Sequence, residues 1–214
     1  MSYLTIVGSK MFIGTTLGTE KTLVGLSNAD PVVATVTAHG YTDDDEVLIG
    51  SGWEDFSGSI FRVDSLTTDT FSLPGYEAED TDFFPAGSGG GTAQEITAWT
   101  EITQVLNVQK NGGGPRVISA NPINLRNGVR KTVGREASDF TLNLAWDLSL
   151  TVQGVLAKAS RRFGKLPFKF LLNGGGYAYS YGQVDMDTLP SFDTNSFMNV
   201  NVNVSLDGIF TVFN

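Results

Sequence analysis

Between Ser138 and Trp146 the chain alternates. Phe140, Leu142, Leu144 and Trp146 fall on one side, and Asp139, Thr141, Asn143 and Ala145 on the other. A period of two belongs to a strand with one buried and one wetter face. Past Trp146 the period lengthens. Leu148, Val152, Val155, Leu156, Ala159 and Phe163 recur at helical spacing and form one apolar stripe, which predicts a helix over residues 148–163. Asp147 or Ser149 is a suitable cap for its start and Gly164 for its end. Lys158, Arg161 and Arg162 lie near its C-terminus, where the helix dipole favours positive charge. A second alternation closes the chain. Met198, Val200, Val202, Val204 and Leu206 face one way, and Asn199, Asn201, Asn203, Ser205 and Asp207 the other, with Gly208 as a bulge or turn before a last strand at 209–213.

The remaining pattern is short strands separated by turn residues. Strands are predicted at 3–7, 10–13 and 22–26. The turn Ser27-Asn28-Ala29-Asp30-Pro31 follows, then strands at 32–37, 46–49, 59–63 and 70–73. Spacing of this kind is an all-β signature. Residues 86–92, rich in glycine and serine, read as a flexible linker. Structure resumes at Glu95, with an extended stretch from Arg116 to Leu125 and a basic loop at 126–135. A hairpin joins 167–172 to 177–184 through Asn173-Gly174-Gly175-Gly176. Residues 1–26 are too short to fold alone. The organisation expected is therefore a main β domain from 1–26 and 95–214, interrupted by a small all-β module at 27–94.

Charge sharpens that division. The 214 residues carry a net charge of −9, unevenly placed. Residues 27–95 hold fourteen carboxylates against one cation, Arg62, whereas the remainder holds thirteen cations and nine carboxylates. The 25 glycines and the scarcity of long helix-forming runs agree with β structure and many turns.

Catalytic chemistry has little to draw on. There is no cysteine, so disulfides and thiolate metal sites are excluded. The single histidine, His39, sits beside a glycine in a turn and reads as structural. No nucleophile elbow, P-loop or H-E-x-x-H occurs. Asp43, Asp44, Asp45 and Glu46 could attract calcium but read better as a solvated acidic turn. The glycine runs 112–114 and 174–176 open no helix, which leaves them as hairpin turns rather than phosphate loops. No enzyme activity, cofactor or metal is expected. No apolar run approaches the roughly 18 residues of a membrane span, so no membrane insertion is expected. The first residues lack the basic and apolar regions of a signal peptide, which points to folding in the cytoplasm of the producing cell.

Two features remain. Arg116, Arg126, Arg130, Lys131 and Arg135 form a basic stretch without interleaved aromatics, suited to acidic groups on a neighbouring protein rather than to specific nucleic-acid binding. The row Asn199, Asn201 and Asn203 is either an ordinary solvent face or a surface that must be hydrated without gripping a polyanion; asparagine is disfavoured in strands.

The 135–144 strand leading into a helix near residues 150–156, the Phe168-Lys169-Phe170 hairpin, and the strand from Phe197 to Leu206 with its terminal Asp207-Gly208-Ile209-Phe210 together resemble the tail tube proteins of long-tailed bacteriophages, the siphophage group, over about half the chain. The run Val36-Thr37-Ala38-His39-Gly40-Tyr41, then Asp45 to Ile49, Phe61-Arg62-Val63 and Asp69 to Leu73, resembles a β module that recurs in phage tail and fibre proteins.

The resemblance implies a mainly β fold, a tail-tube-type β-sandwich or barrel with one packing α-helix plus the small inserted all-β module. It implies a major tail tube subunit, a structural virion protein. Homohexameric rings would stack into a tube that conducts double-stranded DNA at ejection, with a tape measure protein and a tail terminator as further partners. The virion tail would be its location and the host cytoplasm the site of assembly. Asn199, Asn201, Asn203, Thr141 and Asn143 would line the lumen. Arg116, Arg126, Arg130, Lys131 and Arg135 would meet the next ring or subunit, and the acidic module would lie outside the tube. The rival readings are another ring-forming tail protein, such as a tube terminator or baseplate ring, and a host-surface or carbohydrate-binding module centred on Trp53, Trp99 and Tyr76. A hydrolase is the weakest.

Overall fold

The two alternating stretches become direct neighbours. Phe140 faces Val204, Leu142 faces Val202 and Leu144 faces Val200 across an antiparallel ladder, with Thr141 opposite Asn203 and Asn143 opposite Asn201 between them. The apolar row is fully buried and the polar row is not.

The structure is a computed structural model that describes residues 7–124, 126–147, 149–192 and 197–213. Among the described residues the strands before the helix are β1 (Lys10–Leu17), β2 (Lys21–Leu23), β3 (Gly25–Leu26), β4 (Val32–Thr35), β5 (Glu46–Ser51), β6 (Ser59–Arg62), β7 (Thr70–Leu73), β8 (Gly91–Glu101), β9 (Val105–Gly112), β10 (Pro115–Ala120), β11 (Val129–Arg135) and β12 (Ser138–Ala145). Helix α1 (Thr151–Arg161) follows, then β13 (Lys165–Leu171), β14 (Tyr177–Met186), β15 (Asn199–Leu206) and β16 (Thr211–Phe213). One large sheet, curled into a half-barrel, runs β6-β5-β8-β1-β13-β14-β15-β12-β9, with β2 on β8 and β16 on β14. A three-stranded sheet, β3-β4-β7, and a two-stranded one, β10-β11, complete it. The chain is mainly β with one helix, as the alternation and glycine content predict. The predicted strand at 3–7 lies almost wholly outside the described residues, as do Leu125 and Leu148.

The core forms two clusters. One gathers the apolar row of β12 and β15 with Met11, Ile13, Phe168, Val184 and Met186, and α1 closes it with Val152 and Leu156. Leu142 is fully buried there, so its truncation to alanine carries a cost of about 2–5 kcal/mol. The other gathers the apolar residues of β3 to β7 with Trp53, Phe56, Ala93 and Ile96, and reaches across to Tyr179 and Phe213.

The helix is shorter than its stripe suggests and is capped differently. Leu150 holds the cap position with no side-chain hydrogen bond. Asp147 instead accepts from Ser149, at 2.9 Å from its backbone N and 2.7 Å from its hydroxyl, which makes a turn before the helix. The buried Gln153 does the anchoring: its Nε2 donates to Ala145 O at 2.7 Å and its Oε1 accepts from Asp147 N at 3.2 Å. At the other end Phe163 N–H donates to Ser160 O and Gly164 N–H to Ala159 O, a Schellman closure. The left-handed position belongs to Phe163, at φ 52°, and not to the glycine beside it.

Four other expectations change. Residues 86–92 are not a flexible linker. Gly91 starts β8, where a side chain would collide with the Gly50 carbonyl, and Gly89 packs against Leu26 and Trp53. The boundary placed between 94 and 95 falls inside β8, which pairs with β5 along Gly91–Glu95 and with β1 along Ile96–Glu101. The basic loop at 126–135 is largely a strand, β11, paired with β10. The glycines 112–114 are no hairpin turn. Ser138 still faces Gly112, Gly113 N–H donates to Ala137 O, Glu136 N–H donates to Gly114 O, and Pro115 faces Arg135. One long ribbon therefore runs from β9–β12 into β10–β11 and bends at Gly112 and Gly113, whose φ values are 66° and 73°. The hairpin at Asn173–Gly176 forms as predicted, between β13 and β14.

The acidic segment is tied to the large sheet through one carboxylate. Glu46 Oε1 lies 2.6 Å from Lys169 Nζ and accepts from Tyr179 OH at 3.0 Å, while Oε2 accepts from Trp99 Nε1 at 3.0 Å. The Lys169 ammonium also stands over the rings of Trp99 and Tyr177, at 5.2 and 5.3 Å.

Candidate functional site

The five lumen candidates share one face, and the ladder brings further residues to it. β12 lies between β9 and β15, so Asn107, Asn143 and Asn201 form one row and Gln109, Thr141 and Asn203 the next. Asp185 on β14 continues that second row opposite Asn203. The side chains hydrogen-bond along and across the strands. Thr141 Oγ1 donates to Asn203 Oδ1 at 2.8 Å, and Asn143 Nδ2 reaches both Asn201 Oδ1 at 2.8 Å and Asn199 Oδ1 at 3.1 Å. Asn111 Nδ2 donates to Asp139 Oδ2 at 3.1 Å and to Thr141 Oγ1 at 3.3 Å. The alternation of Asn107, Gln109 and Asn111 carries the same signal as the asparagine row and extends the face by a strand.

The electrostatics of this face are one-sided. Its positions on β9, β12, β15 and the second half of β14 include Asp139 and Asp185 but no cation. Lys165, next in line on β13 opposite Gln183, is paired with Asp207 at 2.5 Å. Hydrogen bonds among neutral amides hold the face flat and hydrated. Nothing on it offers a phosphate a charge.

The acidic segment borders that face. Along β14, Tyr177, Tyr179 and Tyr181 alternate on the same side as Gln183 and Asp185, and Tyr179 is buried in the core that includes the acidic segment. The helix occupies the opposite side. The aromatics named for glycan binding are engaged internally. Trp53 is 2% exposed and its Nε1 donates to Pro85 O at 3.0 Å, Trp99 is held by Glu46, and Tyr76 OH accepts from Val212 N. His39 is buried, with Nδ1 accepting from Tyr41 N–H. Asp44 is paired with Arg62 at 2.6 Å and Asp45 accepts from Thr42 N–H. No group of acids and histidine among the described residues is arranged to hold a metal ion.

The other candidates stand on the ribbon. Arg116 is on β10, Arg130, Lys131 and Arg135 are on β11, and Arg126 is in the connection; all are exposed, and none forms an ion pair among the described residues. From Ile102 to Arg135 the chain has six cations, with Lys110 the sixth, and no carboxylate.

A family model described as phage tail tube protein, TTP, matches residues 51–214. The chain belongs to that family. The match begins in β5, so the tail tube region takes in part of the acidic segment together with the amide face and the ribbon. No curated protein matches this tail tube protein. Family membership makes it a structural component of the virion tail, built to assemble into a tube. No helix among its described residues is long and apolar enough to cross a membrane.

Proposed function

We propose that this tail tube protein forms hexameric rings that stack into the tube of a siphophage tail, and that the face carrying Asn143, Asn199, Asn201, Thr141 and Asn203 lines the lumen through which double-stranded DNA leaves. The observation that carries the reading is the amide ladder itself. It is continuous across β9, β12 and β15, held by side-chain hydrogen bonds, and free of cations. DNA affinity grows with the number of phosphates neutralised, so such a wall lets a polyanion slide. Edge strand β9 carries no further strand on its outer side among the described residues, and closure through a neighbour covers it. The arm formed by β10 and β11 contacts the next ring through Arg116, Arg126, Arg130, Lys131 and Arg135. A tape measure protein inside the tube and a terminator at its end complete the assembly, which forms in the host cytoplasm. The segment 27–94 is joined to the tube-forming sheet through β5 and β8 and stands beside the amide face, on the side away from the helix.

Negative-stain microscopy of the purified protein tests this. Hollow tubes built of stacked six-fold rings support it. Rings that never stack identify a terminator or baseplate ring instead, and a persistent monomer removes the tube reading.

A further inference from the structure

Among the described residues the arm has no partner strand within its own chain. β10 and β11 pair only with each other. Every residue of β10 is exposed, and all but Val133 of β11 are exposed or lack a buried face. The ladder sets Ile118 opposite Lys131 and Ala120 opposite Val129, so one face of the arm mixes apolar and cationic groups. Ile118, Val129 and, in the connection, Ile123 are all solvent-exposed hydrophobics. A surface both basic and apolar is built for an occupant that is acidic and apolar.

The loop 77–83 of the same chain is such a surface. Glu77, Glu79, Asp80 and Asp82 are exposed, and Phe83 beside them is 77% exposed. No lysine or arginine lies between Arg62 and Lys110, and none of the four carboxylates forms an ion pair among the described residues. The loop is held in shape. Asn28 Nδ2 donates to Ala78 O and to Phe84 O, each at 2.8 Å, Ala78 is fully buried, and Asp80 Oδ1 accepts from Asp82 N–H at 3.0 Å. A rigid loop keeps the ordering cost of binding on the arm's side alone.

We propose that the β10–β11 arm of one copy docks on the acidic loop 77–83 of a neighbouring copy. Arg116 and Lys131, which share the face of the arm that carries Ile118 and Val129, meet Glu79 and Asp80, and the exposed aliphatic residues of that face cover Phe83. This rests on the tube reading and gives the acidic segment a part in it. Charge complementarity steers the two surfaces together and fixes their register, and the apolar contact supplies the slow dissociation.

Charge reversal tests the docking. R116E/K131E and E79K/D80K each raise the protein concentration needed for tube formation by about tenfold or more at low salt, because like charges then face each other. The four-fold variant, with both reversals in one chain, restores assembly toward the wild-type concentration. Both sites are exposed, so circular dichroism and thermal melting of the monomers show the native fold in all variants, and R116Q/K131Q gives an intermediate loss. Wild-type tubes together with either reversal assembling normally overturn the docking and leave the tube intact. A four-fold variant no better than R116E/K131E also overturns it, as does an arm variant that loses only DNA binding. A wild-type chain that remains monomeric overturns the tube reading and the docking together.

Discussion

Lys169 Nζ and Glu46 Oε1 lie 2.6 Å apart and join positions 123 residues apart in the chain. Each side chain keeps under a fifth of its surface in water. The pair sits where β5 of the acidic segment meets β13 and β14 of the large sheet. Replacing Glu46 with glutamine leaves the ammonium without its counter-charge among three aromatic rings. The expected loss is about 3 kcal/mol of unfolding free energy. Urea denaturation followed by tryptophan fluorescence measures it, since Trp99 bonds the same carboxylate. E46L/K169M should lose less than the sum of its parts, and simple additivity would show that the two do not act as a pair.

Removing the acidic segment extends the same point. Deletion of residues 28–94 strips β5 from β8 and uncovers Tyr179 and Phe213. The shortened chain is expected to lose its cooperative thermal transition and to aggregate. A sharp melt with tubes still forming would establish the segment as an independent insertion.

Alkaline pH reports on the same contacts. Burial, reinforced by the charges of Glu95 and Asp45, raises Tyr41 from 10.0 to about 12. Burial and then Glu46 raise Tyr179 further in the same direction, and burial raises Tyr76 and Tyr181. A tyrosine whose pKa is higher when folded holds its proton more tightly in the native state. Its contribution is whole below pH 10 and is lost as the pH climbs through the folded value. Phenolate absorbance should therefore show Tyr41, Tyr76, Tyr179 and Tyr181 ionising later than free tyrosine and together with unfolding. Smooth titration of all of them near pH 10 in the folded protein would contradict this packing.

Asn201 tests the channel face. Lysine there is exposed and leaves the buried valine row untouched, so N201K should fold and assemble. Each subunit then adds a cation to the wall, and DNA release from virions should slow in a salt-dependent way, recovering as salt rises. Unchanged release would place that face away from the DNA.

Phe163 holds a left-handed conformation that glycine adopts freely, and it is 76% exposed. F163G should raise the stability of the isolated chain by about 1 kcal/mol, read as a higher denaturation midpoint. If F163G is more stable yet assembles poorly, the phenyl ring is kept for a neighbour at the expense of the helix end.

What the residue pattern disclosed follows from where a face is buried. Alternation was legible in 138–145 and 199–206 because valine and leucine opposite one another must be hidden on one side. β11 was not legible: with water on both faces, Val129-Arg130-Lys131-Thr132 has no reason to alternate. Gly112 and Gly113 were misread as a turn because a bend in a ribbon and a hairpin ask for the same positive φ. Gly89 to Gly91 were misread as a linker because glycine serves both freedom and close approach, and only the neighbouring Gly50, Leu26 and Trp53 distinguish the two. The helix start was hidden in Gln153, whose tertiary bonds replace a local cap. The amide face was half seen, and its β9 row needed the ladder with β12 to join it.

The bend at Gly112 has a kinetic consequence. Beyond it the ribbon pairs with no other strand among the described residues, so its direction is settled only when a neighbour receives it. A free subunit joining another free subunit must order two such ribbons for one contact, whereas a subunit joining the end of a tube meets a surface already in place. Growth from an existing end is thereby favoured over spontaneous starts. Concentrated protein should show a lag that a trace of preformed tube abolishes, and the length of the tail is left to whatever begins and ends the polymer.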